Sequence, residues 1–305
     1  MSMKSLLKIA NFLRVDRAKI RKIPSLRRND LTVGMQYYLI SDLDHTLLNE
    51  QGRLSQRTIH AVVSSGLSLM LASARMPAQM LDVINQLQLK GPQTALNGAV
   101  VFQPNQDKFE ILNQHAIPDP AAQKVQELIE SVFPQLNLTW MDAFAWHVST
   151  YDQGVANEIF YTGIKPIYDV HNRPIQNALQ MLLIIEDPIL LKKVKSAILS
   201  LQSAEIAVHE AGDGYLTINA ASADKSQAAH YLINHGLASY DQLMAFGDDE
   251  NDLPLLKSVA HSVAMANASQ NVKESAEIIA LSNEKDGIAQ IIERIAPNKD
   301  QVRYT

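Results

Sequence analysis

The chain has 305 residues, 47% of them apolar, with 27 Lys/Arg against 32 Asp/Glu and no cysteine. It can fill one large domain or two ordinary ones, and no stretch approaches the roughly eighteen apolar residues needed to span a bilayer. Without cysteine there are no disulfides, thiolate zinc sites or cysteine nucleophile, so any metal must sit on oxygen or imidazole, and a reducing cytoplasmic setting is expected.

Residues 1–30 carry nine Lys/Arg against Asp16 and Asp30, a local balance of +7 that leaves −12 for the remainder. Basic residues interleave there with Leu6, Leu7, Ile9, Phe12 and Leu13, a pattern open to a membrane-surface helix, a targeting segment or a nucleic-acid-binding arm. The plainer reading is a basic extension over 1–35 without a defined role, because Met35 stands directly before the first strand. Nucleic acid is not expected as a partner, and membrane contact through 1–30 is kept only as an alternative.

From Tyr37 the sequence reads Tyr-Tyr-Leu-Ile-Ser and then turns acidic, as a strand buried on both faces does where it leaves a parallel sheet. Helical spacing follows over 55–65, with Ser55 as N-cap, then a short apolar strand over 67–72 and a helix over 77–87. This rhythm predicts right-handed crossovers and a doubly wound, Rossmann-like α/β sheet. It breaks after Leu96-Asn97-Gly98-Ala99-Val100-Val101-Phe102. Residues 116–206 instead suggest a helix over 119–133, a hairpin of 136–140 with 145–149, a helix over 153–161, a strand over 181–185 and a helix over 188–201. That is an α+β insertion. The α/β rhythm is expected to resume with the strand 216–219, the helix 225–235 and the strand 242–246. The division expected is therefore a core of 36–115 and 207–292, a cap of 116–206 and a tail of 293–305.

Ligands of an open parallel sheet bind beyond the carboxyl ends of its strands. Polar groups gather at four such predicted ends: Asp42 and Asp44; Ser73 and Arg75; Asp248, Asp249, Asn251 and Asp252; and Lys225, which opens a helix. Five adjoining carboxylates repel unless a hard cation joins them, and oxygen-only ligands favour magnesium. Phosphoryl transfer gives each group a task. Asp42, first off its strand, is the candidate nucleophile, and Asp44 the candidate acid and base. Ser73 and Lys225 would donate to the phosphoryl oxygens, and Asp248 would complete the metal shell with Asp249 and Asn251 in it or beside it.

The ordered motifs Asp-Leu-Asp-His-Thr-Leu-Leu, Ser-Ala-Arg, Asn-Gly-Ala, Ala-Asp-Lys-Ser and Gly-Asp-Asp-Glu-Asn-Asp-Leu-Pro-Leu-Leu resemble the haloacid dehalogenase-like hydrolases. They are most similar to the Cof-type branch, which carries an α+β cap between its second and third motifs. The similarity runs from about residue 37 to residue 292, ending with Val263–Ala268 and Asn283–Ile288. It implies magnesium on Asp42, Asp44, Asp248 and Asp249, and phosphate or substrate contacts from Thr46, Ser73, Arg75, Asn97, Lys225 and Asn251. Departures are His45 where Gly is commoner, Ser73-Ala74 for Thr-Gly, and Ser226 after Lys225.

Each feature has a plainer alternative. Asp-x-Asp after a strand is often a turn and cap, Lys225 alone a surface lysine, Arg75 an ion-pair partner of the acidic cluster, and Asn97 a turn residue. Trp140, Trp146, His147 and Tyr151 could stack on a substrate or simply be cap core. The function expected is hydrolysis of a small phosphorylated metabolite, such as a sugar phosphate. A phosphomutase and a non-catalytic metabolite-binding protein are the alternatives.

Overall fold

The computed structural model describes residues 36–168, 174–211 and 214–296. The basic extension and the last residues of the expected tail lie outside them. Strand β1 (Tyr38–Ser41) leads through a wide turn to helix α1 (Gln56–Ser65), whose first turn is capped by the Ser55 hydroxyl accepting from Thr58 N at 3.0 Å. Then come β2 (Ser68–Leu71), α2 (Pro77–Gln86), β3 (Gln93–Ala95), β4 (Val100–Asn105) and β5 (Lys108–Gln114). The last three pair antiparallel, a hairpin extension the sequence reading did not anticipate.

The inserted elements are α3 (Asp119–Val132), β6 (Thr139–Met141), β7 (Trp146–Val148), α4 (Gln153–Thr162), β8 (Ile167–Tyr168), β9 (Gln180–Ile184), α5 (Pro188–Leu199), β10 (Ile206–Ala211) and β11 (Tyr215–Ala220). Their six strands form one sheet in the order β10-β11-β9-β6-β7-β8. One expectation is corrected here. The strand around 216–219 forms, but it pairs antiparallel with β9 and β10 instead of resuming the parallel sheet. A run such as Leu-Thr-Ile-Asn is apolar enough for either sheet, and only long-range pairing decides between them.

The chain closes with α6 (Gln227–Asn234), β12 (Leu243–Gly247), α7 (Leu253–Lys257), β13 (His261–Ala264), α8 (Gln270–Ser275), β14 (Ile278–Ile279) and α9 (Gly287–Ile295). The five parallel strands run β14-β13-β12-β1-β2, and a parallel bridge from Ala72 to Thr94 joins β3 to the β2 edge. Ile40, Met70 and Ala245 pack on one side against Ala228, Leu232, Leu255 and Leu256 of α6 and α7. Leu39, Leu71 and Phe246, whose side chains alternate to the opposite side, are equally buried. α1 and α9 pack together, tied by Arg57 to Glu293 at 2.9 and 2.7 Å. Burying each of Ile288, Ile291 and Ile292 contributes about 1.5–3 kcal/mol. Among the described residues no helix is long and apolar enough to cross a membrane.

The strand order reverses between β1 and β12. From β1 the chain steps outward to β2 and β3, then returns to lay β12, β13 and β14 on the other side. The loops after β1 and β12 thus diverge, leaving the crevice in which α/β sheets bind ligands.

Beside that crevice, Leu96, Asn97 and Gly98 take φ of 50, 54 and 90°, three left-handed residues in a row. A Cβ on Gly98 would lie 1.9 Å from the Asp224 carbonyl oxygen, so only glycine lets this loop touch the segment that carries Lys225. Gly98→Ala is expected to lower the unfolding free energy by about 2–4 kcal/mol, combining backbone strain with a forced separation of the two loops. Urea denaturation measures it, and an unchanged midpoint would contradict the close approach.

Candidate active site

Parallel pairing carries β1 to its end at Ser41, and Asp42 N donates to the Phe246 carbonyl at 3.1 Å, so the first residue off β1 is still held by β12. Asp42 is only 5% exposed. Its Oδ1 accepts from Lys225 Nζ at 2.7 Å, and the same ammonium donates to Asp252 Oδ1 at 2.6 Å. Lys225 precedes α6 by two residues, slightly outside the helix it was expected to open.

Asp252 does more than the sequence reading gave it. Fully buried, it accepts through Oδ2 from the backbone N–H of Asp248 at 2.9 Å and of Asp249 at 3.1 Å, folding the loop after β12 back on itself. Gly247 is required by this brace, since a Cβ there would sit 2.5 Å from Asp252 Cβ. Asp252 stood in the acidic cluster, but nothing in its spacing distinguished it from its neighbours. Asp248 is turned inward, and Thr46 Oγ1 donates to its Oδ1.

Asp42, Asp248 and Asp252 bring ligand oxygens within 4.8 Å of one another. One ammonium faces three carboxylates, an excess of two negative charges. Burial holds the Asp42 carboxyl well above the usual range; Lys225 pulls it down, while Asp252, Asp248 and Asp44 push it further up. Burial also raises Asp248 to about 6, against the hydrogen bond from Thr46. Burial disfavours the Lys225 charge, yet Asp252 and Asp42 outweigh it and the ammonium is held above its ordinary value. Both oxygens of Asp252 are already engaged, whereas Asp42 Oδ2 and Asp248 Oδ2 have no hydrogen-bond partner among the described residues. An all-oxygen donor set with two surplus charges suits a hard divalent cation.

The other expected residues arrange differently. Asp44 leaves the carboxylate group and takes a two-bond ion pair with Arg75, whose Nε and Nη2 donate at 3.0 and 2.5 Å. The reading of Arg75 as an ion-pair partner is the one observed. Asp249 is exposed, outside that group, and accepts from Glu250 N at 2.8 Å. Ser73 is fully buried at the end of β2, its hydroxyl accepting from Arg75 N at 3.2 Å. Asn97 is both a turn residue and a contact, with Oδ1 accepting from Asn251 Nδ2 at 3.2 Å.

His45 takes φ 58°, the conformation for which glycine is the easiest occupant. Its ring turns to Glu50 at 3.3 Å, and its carbonyl accepts from Asn267 Nδ2 at 2.7 Å.

Strand register sorts the residues of the second sheet by face. Asn219 faces the crevice, its Nδ2 donating to the Leu96 carbonyl at 3.1 Å. Trp140 and His147 stack at 5.2 Å opposite Met181, on the other face. Trp146 shares the Asn219 face but is sealed at 1% exposure, and Tyr151 is exposed beside Tyr168. His209, opposite Thr217 on the Asn219 face, lines a cleft with Asp249, Glu250 and Asn251.

A family profile for haloacid dehalogenase-like hydrolases matches residues 39–292. A Haemophilus influenzae protein with a provisional phosphatase name is 27% identical over 266 residues, covering 85% of this chain and 98% of its own. YcsE of Bacillus subtilis, named a 5-amino-6-(5-phospho-D-ribitylamino)uracil phosphatase, is 21% identical over 88% of this chain and 98% of its own. A haloacid dehalogenase-like hydrolase from Bacteroides thetaiotaomicron superposes with a TM-score of 0.74 at 25% identity, covering 85% of this chain and 99% of that one. With the switch-point crevice and its buried carboxylates, these place the chain in the haloacid dehalogenase-like hydrolase family, as a Cof-type enzyme of the phosphatase class.

Proposed function

We propose that the protein hydrolyses a small phosphomonoester, a sugar or polyol phosphate, through an aspartyl-phosphate on Asp42. The observation that carries this is a buried carboxylate at the switch point with one oxygen fixed by Lys225 and the other uncommitted among the described residues. Asp42 Oδ2 attacks phosphorus as the bond to the leaving oxygen breaks, and water then cleaves the acyl phosphate and releases inorganic phosphate. Asp44 protonates the leaving oxygen and later deprotonates that water, after parting from Arg75. Lys225 and Ser73 donate to the phosphoryl oxygens, with Thr46, Asn97 and Asn251 shaping the walls. Magnesium held by Asp42 and Asp248, close to Asp44, would neutralise phosphoryl charge when bound.

Three Bacillus subtilis relatives, YcsE, YwtE and YitU, are named for a phosphate ester of a ribityl chain, which supports a hydroxyl-rich substrate here. We further assign residues 117–220 as the cap. Its two connections, near His115 and Ala221, flank the 96–99 loop: His115 N donates to the Ala99 carbonyl, and Asn219 holds Leu96.

Asp42→Asn is expected to reduce turnover at least 1,000-fold, about 4 kcal/mol of barrier, without loss of fold. Phosphate release from para-nitrophenyl phosphate, with circular dichroism as the folding control, reads both. Near-normal turnover in this variant would rule out the mechanism.

Asp248 gives a second expectation with a definite sign. A carboxyl near 4 in the unfolded chain and about 6 when folded favours folding below about pH 4 and loses that advantage as pH climbs through 6. In chelator, Asp248→Asn should melt about 2–4 °C above the natural protein at pH 7.5 and lose most of that difference at pH 4.5, and it should lose the rise in Tm that magnesium gives. An equal difference at both pH values would show that Asp248 does not titrate as its burial implies.

A further inference from the structure

Two segments of the motif series, 263–268 and 283–288, have no task in the proposed chemistry, yet both reach the loop that carries Asp44. That loop leaves β1 as a tight turn over 43–48, closed by Leu48 N donating to the Leu43 carbonyl at 2.8 Å and anchored at its ends by Leu43 and Leu48, both fully buried. Between the anchors Asp44 is extended, with φ −73° and ψ 130°, and His45 reverses the chain with φ 58° and ψ 2°. The direction in which Asp44 points is therefore set by a non-glycine residue in the left-handed region, a conformation that persists only where its surroundings hold it.

Two side-chain amides do the holding. Asn267, three residues past β13, donates through Nδ2 to the His45 carbonyl at 2.7 Å, and its Oδ1 accepts from Asn283 N at 3.1 Å. Asn283 is buried and donates through Nδ2 to the Leu48 carbonyl at 3.1 Å and to Glu50 Oε1 at 3.2 Å. Glu50 is held twice more, its N–H donating to Glu284 Oε1 at 2.8 Å and its Oε2 meeting His45 Nδ1 at 3.3 Å. The two carbonyls that bracket the reversal, those of His45 and Leu48, are thus tied to loops outside the turn. Strand pairing does not supply these ties, because β12 separates β13 from β1. The partners also decide the residue type. Each amide must offer an N–H to a carbonyl, which an aspartate cannot, and Asn267 must also accept from a backbone N–H, which a lysine or arginine cannot.

We infer that Asn267, seated by Asn283, is a positioning residue for Asp44. It fixes the 43–48 turn, so that when Asp44 parts from Arg75 its carboxyl is delivered to the leaving oxygen by side-chain rotation alone. The Asn267 side chain bonds to none of Asp42, Asp248, Asp252 and Lys225 among the described residues, so it acts through the turn and not on the metal or phosphate. The inference rests on the phosphatase reading above and adds to it the support of the proton donor.

The test uses the full-length protein in magnesium with two aryl esters of similar size. Phenolate leaves poorly from phenyl phosphate without a proton, whereas nitrophenolate leaves readily from para-nitrophenyl phosphate without one. Asn267→Ala should lower kcat for phenyl phosphate by about 10–100-fold with KM within about threefold, the scale on which a misplaced acid loses its contribution. For para-nitrophenyl phosphate kcat/KM should fall by less than about threefold, because that step needs little help from an acid. Asn267→Asp, which keeps the shape and the acceptor but loses the donor, should show the same contrast between esters. Asn267 is exposed, so both variants should melt within about 4 °C of the natural protein. A general loosening of the site would instead slow both esters alike. Equal losses on the two esters, or none on either, would overturn the inference while leaving the phosphatase reading intact. A natural protein that released phosphate from neither ester would overturn both.

Discussion

At the switch point of the sheet a single ammonium, that of Lys225, is shared by Asp42 and Asp252, while Asp248 stands close by with only the Thr46 hydroxyl. A buried carboxylate without a counter-charge costs several kcal/mol, and two surplus charges cost more. The fold tolerates this because the three carboxylates are fixed by bonds that do not depend on their neutrality. Asp252 is braced by two backbone amides, Asp42 by its own amide's bond to the Phe246 carbonyl just past β1, and the Asp248 backbone by Asp252. What remains without a partner among the described residues is one oxygen each of Asp42 and Asp248. A site built in this way is less stable empty than filled, which is how binding energy for a cation and a phosphoryl group is held ready.

Lys225 in turn depends on a contact remote from it in sequence. Asp224 carries it against Gly98, at a separation no side chain would permit, and the adjoining Leu96 carbonyl is held by Asn219 of the cap sheet. The loop 96–99 therefore touches the segment that carries Lys225, the cap sheet and, through Asn97, the Asn251 loop. Its three successive left-handed residues reflect that position, since backbone strain persists where surroundings over-determine it.

Much of this was legible in the sequence because strand ends of a parallel sheet form a site by topology alone. Asp42, Ser73 and Asp248 needed only the recognition of three strands, and Lys225 only the segment before a helix. Other features are decided by pairing between distant segments. The apolar pattern of 216–219 suits a parallel or an antiparallel sheet equally, so the return to the core was placed too early, and β10 was not recognised as a strand. His209 then had no face to be assigned to. Asp252 and Asp249 are both acidic residues of one loop; which of them turns inward is set by the tight turn at Gly247, not by residue type. Trp140 and His147 looked suited to a pocket by chemistry, but one step of strand register puts them on the opposite side of the cap sheet from Asn219.

The pairing of Asp44 with Arg75 separates the proposed acid from the proposed nucleophile, and its energetics decide whether that is an obstacle. Both side chains are partly exposed, at 47% and 28%, and ion pairs in such positions are worth about 0–1 kcal/mol after entropy and screening. A guanidinium binds a phosphate oxygen at least as well as a carboxylate, with the same two-pronged geometry. An arriving phosphomonoester can therefore draw Arg75 from Asp44 at little net cost, which frees Asp44 near the leaving oxygen. With no substrate present the same pair keeps a fourth carboxylate, Asp44, away from a crevice that already holds more negative charge than Lys225 can balance. On the proposed mechanism, the two plain readings of Arg75, ion-pair partner and substrate contact, would describe one side chain before and after binding.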